Sequence, residues 1–356
     1  MHMKSPTRPL GAMLFVLVLP VALSLAGQQP PTARSGVAVE PIAAILDAFR
    51  THDIVALGEP HGNEQGHAFR LSLIRDLRFA ETVNDILWEC GSARYQDIMD
   101  RFIQGEDVPD TSLRQAWRNT VGSINVACDL PIYEEFIRAV RAVNAARPRE
   151  RQLRVLLGDP PIDWEKVHAL EDAVKWAAVR DIHAAEVISR EVLSKHRRAL
   201  IIYGDMHLRR KYVGANYMTE DPVTKTSVDG RTLTEQLEAA TGTRVFAIWV
   251  DTTSDLTTLQ ADIASWPTPS MTLLRGTILG ARDFAFYDPT SRDPARPMED
   301  KFDALLYLGP PSTMSQARLS PTLCTDRAYM EMRLGRMALV GVPTDSLKRY
   351  CATVAK

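Results

Sequence analysis

Short, continuous apolar runs recur along this chain, and they constrain its fold more than any other feature of the sequence. The runs lie at residues 54–57, 86–88, 155–157, 199–203, 245–250 and 304–308. Continuous rather than alternating hydrophobicity is typical of strands that are covered on both faces, as in a parallel sheet. Helical patterns separate the runs. We therefore expect an α/β fold, with a mostly parallel β-sheet flanked by helices.

Helical periodicity is strongest in two stretches. Apolar residues from Val167 to Val192 recur at three- and four-residue steps, which predicts one amphipathic helix of about 28 residues. The segment at about residues 93–147 is also helical in pattern and contains no strand-like run, so we predict a helical insertion or cap. The polar stretches 211–230 and 288–297 are predicted to be loops that face a substrate.

The N-terminal segment has the layout of a secretory signal peptide. Lys4 and Arg8 precede an apolar run at residues 10–26, which ends in small residues. An uncleaved anchor is the alternative, but the run is shorter than the ~20 residues that a membrane span needs. We predict a signal peptide over residues 1–26 and a single domain over 27–356, without a membrane span. The protein is expected to be secreted or periplasmic.

Charge and motif content exclude several classes of protein. The 42 Lys and Arg residues against 44 Asp and Glu give a net charge of −2, so nucleic acid is not an expected partner. No G-x-S-x-G, P-loop, H-E-x-x-H or G-x-G-x-x-G motif occurs, which disfavours a serine hydrolase, a nucleotide enzyme and a zincin. A small-molecule substrate is the expected partner.

The four cysteines are best explained by export. They contain no C-x-x-C pair, and in an oxidising compartment they form two disulfides with three alternative connectivities. We favour Cys324–Cys351, which would fasten the C-terminal segment. The alternative is that all four cysteines are reduced and buried.

Acidic and histidine side chains follow four of the apolar runs, at the point where each predicted strand ends. They are Glu59 and His61 after the first run, Glu89 after the second, Asp159 after the third, and Asp205 and His207 after the fourth. Ligands of parallel sheets bind beyond the carboxyl ends of the strands, so we expect these side chains to meet. Helix capping explains Glu59 or Asp205 singly, and turn formation explains Asp159. Neither explains the whole set.

The helix that follows the first motif adds a polar stripe. Asn63, His67 and Arg70 are spaced so that they share one face of that helix beside the site. We predict that Asn63, His67, Asp159 and Asp205 bind substrate.

These strand-end motifs resemble the erythromycin esterase, ChaN and Tiki superfamily. The resemblance rests on the Gly-Glu-Pro-His-Gly-Asn motif at residues 58–63, on His67 and Glu89, and on Gly-Asp-Met-His at 204–207. It extends from about Ile54 to His207. It implies catalytic roles for Glu59, His61, Arg70, Glu89 and His207.

The same resemblance leaves three functions open. The favoured hypothesis is an exported hydrolase of ester, lactone or amide bonds that uses a water activated by His and Glu, as in erythromycin esterases. The first motif is one residue shorter between Glu59 and His61 than is usual in those esterases, and in this it resembles the ChaN-like proteins that bind haem. The paired Gly-x-x-His motifs resemble the metal-dependent Tiki and TraB proteases.

We expect no cofactor and no metal at this site. The alternatives are haem, or a divalent metal bound by His61, Glu89 and His207, since two histidines and one carboxylate suit zinc, manganese or iron. The predicted neighbour Arg70 argues against a cation, because like charges a few ångströms apart repel.

Overall fold

Residues 33–122, 126–210, 230–290 and 296–354, together with His2, are described by a computed structural model of the chain. Apart from His2, the predicted signal peptide lies outside the described residues, as does nearly all of the predicted loop at 211–230. So do residues 291–295 of the second predicted loop.

Seven strands in this part of the chain form one sheet. They are β1 Ile54–Gly58, β2 Asp85–Ser92, β3 Arg154–Asp159, β4 Ala199–Tyr203, β5 Val245–Asp251, β6 Ser270–Leu273 and β7 Ala304–Tyr307. Their order is β3-β2-β4-β1-β5-β7-β6, and every neighbouring pair is parallel except β6 and β7. The predicted α/β fold with a mostly parallel sheet is confirmed.

Helices surround the sheet. Those before β4 are α1 Pro41–Ala48, α2 Glu64–Arg75, α3 Phe79–Thr82, α4 Gln96–Ile103, α5 Asp110–Leu113, α6 Gln115–Arg118, α7 Pro131–Ala145, α8 Leu170–Ala178 and α9 Arg180–Glu191. Those after it are α10 Asp205–Leu208, α11 Leu233–Thr241, α12 Ile278–Ala281, α13 Pro321–Thr325, α14 Arg327–Leu339 and α15 Asp345–Val354.

Both faces of the sheet are buried. Successive side chains of a strand point to opposite faces, so Val55 and Leu57 of β1 pack in one apolar cluster and Ile54 and Ala56 in the other. Helices α1, α2, α4 and α7 contribute to the first cluster, and α9, α11 and α12 to the second. This two-sided burial explains why the strands read as unbroken apolar runs.

Two features differ from the sequence prediction. The antiparallel edge strand β6 was not expected, because it is only four residues long and follows Pro267 and Pro269. The single helix predicted between Val167 and Val192 is wrong. The chain forms two helices, α8 and α9, which are separated at Val179. The residues that begin α9 turn into the protein interior, and the apolar periodicity gave no sign of this.

Segments outside the sheet are fastened by two disulfides. The chain between β2 and β3 forms helices α4 to α7, and Cys90 of β2 is bonded to Cys128 just before α7. Cys324 of α13 is bonded to Cys351 of α15, which is the pairing favoured from the sequence. Both disulfides are compatible with an extracellular protein. Among the described residues, none of the helices has the length and apolar character that a membrane span requires.

Candidate active site

The site lies at the carboxyl ends of β2, β4 and β1, which are neighbours in the sheet. Glu59 directly follows β1, and its backbone N–H donates to the carbonyl of Tyr203 at the end of β4. Glu89 lies in the last part of β2, where the pairing with β3 is irregular. His207 is in the short helix α10, which begins just after β4. The parallel topology therefore brings the predicted residues together.

A dyad of Glu59 and His61 forms one side of this site. Nδ1 of His61 is hydrogen-bonded to Oε2 of Glu59, and Glu59 is almost fully buried while the His61 side chain is 40% exposed. Nη2 of Arg70 lies 3.2 Å from Oε1 of Glu59. The hydroxyl of Tyr133 donates to both carboxylate oxygens of Glu59 at 3.2 Å. The Glu59 carboxylate is thus held from three sides.

The charges of neighbouring side chains set the protonation states of Glu59 and His61. Burial raises the pKa of Glu59, but His61 and Arg70 outweigh it and leave the pKa below its usual value. Burial lowers the pKa of His61, yet the carboxylates of Glu59 and Glu89 raise it overall to about 9. At neutral pH the dyad is therefore mostly an ion pair.

Glu89 is the buried centre of the site. Its Oε1 accepts from Nη2 of Arg180 at 2.9 Å, and its Oε2 accepts from the backbone N–H of Gly204 at 2.6 Å. Burial raises the pKa of Glu89, but the two histidines and the arginine around it lower the pKa to about 2. Glu89 is therefore ionised, as a carboxylate with these partners should be.

His207 forms a second dyad, with Asp181 of α9. Nδ1 of His207 lies 2.5 Å from Oδ1 of Asp181, and both residues are buried. Nε2 of His207 points at Oε1 of Glu89 from 3.6 Å, and Nε2 of His61 approaches the same oxygen from 3.8 Å. Two imidazoles, each supported at Nδ1 by a carboxylate, thus converge on one oxygen atom of Glu89.

Arg180 connects this centre to Asp159. Its Nε donates to Oδ1 of Asp159 at 2.8 Å, so one guanidinium joins two buried carboxylates. The close packing requires a glycine, because a Cβ on Gly122 would lie 2.6 Å from Nη2 of Arg180. Asp159 is fully buried and does not line the cleft described below.

Asn63, His67 and Arg70 lie behind the site rather than in it. Oδ1 of Asn63 accepts from the backbone N–H of Gly66 at 2.7 Å and caps α2. Nε2 of His67 lies 3.0 Å from Oε2 of Glu135 of α7, and burial lowers the pKa of His67. None of the three lines the cleft. Arg70 is positioned to neutralise Glu59 and not to contact a substrate.

Asp205 is the predicted substrate-binding residue that does line the cleft. Its Oδ1 is buried and has no hydrogen-bond partner among the described residues. A Cβ on Gly58 would lie 1.8 Å from this oxygen, so the first Gly of the strand-end motif makes room for the carboxyl group. Burial raises the pKa of Asp205 well above its usual range.

These residues form one side of a cleft of about 740 Å³. Its charged lining consists mainly of Glu59, His61, Glu89, Arg180, Asp205 and His207. Its apolar lining comes from α8, Val121, Met206, Trp249 and the turn between α14 and α15. A cleft with convergent polar groups and perturbed pKa values is a typical binding or active site.

Three residues of the site were missed from the sequence: Arg180, Asp181 and Tyr133. Arg180 and Asp181 stand in the middle of an amphipathic pattern, where charged residues usually face solvent. Tyr133 is in the helical insertion, 72 residues after His61. Only the break between α8 and α9 would have indicated that Arg180 and Asp181 face the interior. The apolar periodicity of the sequence does not show that break.

The donor set does not fit a divalent metal well. In the described residues, no group of three His, Cys, Asp or Glu side chains has the spacing for a metal ion. The guanidinium of Arg180 is 2.9 Å from the Glu89 oxygen at which both imidazoles point, so a cation there would face a positive charge. Neutral imidazole is the form that binds a metal, whereas the pKa of His61 is about 9.

Known proteins share parts of this sequence and its fold. The family described as haem-binding uptake, Tiki superfamily, ChaN matches residues 45–145. The resemblance to the erythromycin esterase, ChaN and Tiki superfamily is confirmed. No curated protein sequence matches the chain.

Two solved structures are similar across most of the chain. One is a mutant of the erythromycin esterase EreC in its open conformation, with 12% identity, a TM-score of 0.52, and coverage of 78% of this chain and 94% of that one. The other is a succinoglycan biosynthesis protein, with 10% identity, a TM-score of 0.51, and coverage of 80% and 96%. At these identities the similarity shows a common fold.

Proposed function

We propose that the protein is an exported hydrolase of ester, lactone or amide bonds, and that a water molecule activated by His61 is the nucleophile. The observation that carries the proposal is the Glu59–His61 dyad on the cleft, with Nδ1 on the carboxylate and Nε2 facing Glu89. An imidazole held in this way has the tautomer and orientation of a general base. The fold shared with an erythromycin esterase supports this chemistry.

The reaction follows from the two dyads. Neutral His61 takes a proton from water at Nε2, and the hydroxide oxygen attacks the carbonyl carbon of the substrate. Glu59 stabilises the imidazolium that forms, as the acid of a catalytic triad does. His207, supported by Asp181, gives a proton to the leaving oxygen or nitrogen as the bond to the carbonyl carbon breaks.

Positive charge for the developing oxyanion comes from an arginine of the cleft. Arg180 lines the cleft beside His61, whereas Arg70 does not. We therefore assign the electrostatic role to Arg180 and not to Arg70, for which the resemblance implied a catalytic role. Arg70 keeps the Glu59 carboxylate ionised.

A substrate panel tests this proposal. Purified protein is assayed on esters, lactones and amides, together with His61→Ala and Glu59→Gln. We expect hydrolysis of at least one class and a loss of about 10²-fold or more in both variants. His168→Ala is the matched control, since His168 is exposed and does not line the cleft. Equal rates for wild type and His61→Ala would contradict the proposal.

Haem binding is the second candidate, and the match of residues 45–145 to the haem-binding ChaN family favours it. His61 is the exposed imidazole of the cleft, but its pKa of about 9 leaves it protonated at neutral pH. A protonated imidazole is a poor ligand, so His61 is not suited to bind haem iron at neutral pH. Titration with haemin separates the two: a stoichiometric Soret shift without any hydrolysis would reverse our ranking.

A further inference from the structure

One part of the cleft lining, here called the aliphatic wall, consists of apolar side chains. Leu170, Val174 and Ala177 of α8 line it, together with Val340 and Val342 from the turn between α14 and α15. Leu170 is 46% exposed, although it is a large apolar side chain. Val174, Ala177, Val340 and Val342 are half-buried. Apolar side chains that stay accessible to solvent within a cleft indicate a binding surface.

This aliphatic wall is firmly supported from behind. Ala173 of α8 is buried in a small apolar cluster with Val121, Ile162 and Val167, and Val340 packs against the same cluster. The wall is therefore not a frayed surface helix. Its shape exists before any ligand arrives, which reduces the entropy cost of binding.

The turn between α14 and α15 is fixed to the rest of the protein. Arg333 of α14 is fully buried and lies 2.5 Å from Oδ2 of Asp129, which also accepts from the hydroxyl of Tyr329 at 2.6 Å. The Cys324–Cys351 disulfide fastens α15 to α13. Val340 and Val342 are consequently held at a constant position in the cleft.

The wall is continuous with the catalytic residues. Helix α8 ends at Ala178, and Arg180 and Asp181, which hold Glu89 and His207, come immediately after the break at Val179. A group lying on α8 is therefore next to the reacting centre. The cleft lining combines acid–base groups with these aliphatic side chains, which suits a substrate with a carbonyl at one end and an alkyl chain beyond it.

We propose that this wall is an aliphatic subsite, and that the substrates of the protein carry an alkyl or acyl chain which lies on α8 and on the α14–α15 turn. The inference rests on the proposed hydrolase function for its catalytic test, and it extends that function to a substrate class. The chain adds affinity by leaving water, at roughly threefold to fourfold per methylene when fully buried.

A chain-length series tests the subsite. Wild type is assayed on p-nitrophenyl esters from acetate to octanoate, and we expect kcat/KM to rise with each methylene. Leu170→Ser and Val342→Ser should reduce that increase. Leu77→Ser is the matched control, because Leu77 is 79% exposed, lies between α2 and α3, and does not line the cleft. Unchanged dependence on chain length in both cleft variants would overturn the inference and leave the hydrolase proposal intact.

A binding experiment separates this inference from the proposed function. The neutral fluorescent probe N-phenyl-1-naphthylamine is bound to wild type and displaced with 1-alkanols from ethanol to octanol. Displacement that strengthens with chain length, and weakens in Leu170→Ser and Val342→Ser, would support the subsite even if no ester is hydrolysed. In that case the hydrolase proposal alone would fail. No dependence on chain length in hydrolysis or in displacement would overturn the subsite.

Discussion

His61 and His207 point their Nε2 atoms at the same oxygen, Oε1 of Glu89, from 3.8 and 3.6 Å. Each imidazole is fixed by a carboxylate at Nδ1, from Glu59 and Asp181 respectively. The two dyads come from different parts of the chain, because one follows β1 and the other joins α10 to α9. This arrangement gives the site one histidine to accept a proton and another to donate one, with an ionised carboxylate between them.

Replacement of Arg180 should destabilise the fold. Arg180→Met leaves the buried carboxylates of Glu89 and Asp159 without their shared cation, and a broken buried ion pair typically costs about 3–5 kcal/mol. Urea unfolding at pH 7 measures the free energy of unfolding. Arg94→Met is the control, since Arg94 is 43% exposed and its pair with Asp163 contributes little. A loss below 1 kcal/mol for Arg180→Met would contradict this role.

Asp181 is a positioning residue for His207, and Asp181→Asn should separate kcat from KM. The amide cannot hold the same Nδ1–H tautomer of His207, so proton transfer from Nε2 should fail. We expect kcat to fall by about 10² to 10⁴-fold while KM changes little, and Asp181→Glu to restore part of the rate. If kcat and the melting temperature fell together in both variants, Asp181 would be purely structural.

Tyr133 of the helical insertion contacts the site directly. Its hydroxyl donates to Glu59 and accepts from the backbone N–H of Gly62, which fixes the segment around His61. Tyr133→Phe should lower kcat/KM by about fivefold, at the roughly 1 kcal/mol typical of one hydrogen bond. Tyr95→Phe is the control, because that hydroxyl accepts from Asn119 and does not line the cleft. Equal effects of the two substitutions would contradict the prediction.

Most of the strand-end cluster could be predicted from the sequence. A parallel sheet brings the carboxyl ends of its strands to one edge, so Glu59, Glu89 and His207 had to lie near each other once the strands were identified. The partners could not be predicted, because Arg180 and Asp181 have the composition of a solvated helix face. Whether they face inward depends on the break at Val179, which tertiary packing decides.

Local sequence spacing also could not show on which side of the site Asn63, His67 and Arg70 lie. Helical spacing placed Asn63, His67 and Arg70 on one face of a helix, whereas Asn63 is the N-cap residue that precedes α2. His67 lies against α7 of the insertion, where it pairs with Glu135. Spacing alone does not tell which element covers a helix face. Asn63 and His67, which lie behind the site, were therefore predicted to bind substrate.

The C-terminal disulfide should stabilise the fold measurably. The bond closes a loop between residues 27 positions apart, which corresponds to about 3.5 kcal/mol in the chain-entropy estimate. Cys324→Ala with Cys351→Ala should lower the free energy of unfolding by about 2–4 kcal/mol. Thermal and urea unfolding of the double variant measure this. An unchanged midpoint would show that α13 and α15 are held by packing alone.

The dependence of kcat/KM on pH tests the account most directly. His61 must be neutral to accept a proton, and its pKa is about 9. On a p-nitrophenyl ester, whose leaving group needs no proton from His207, kcat/KM should therefore rise about tenfold per pH unit below that value and level off above it. Glu59→Gln removes the nearest carboxylate that raises this pKa, and should shift the rise to lower pH. A kcat/KM that falls as pH increases through 9, or a midpoint that Glu59→Gln leaves in place, would contradict His61 as the general base.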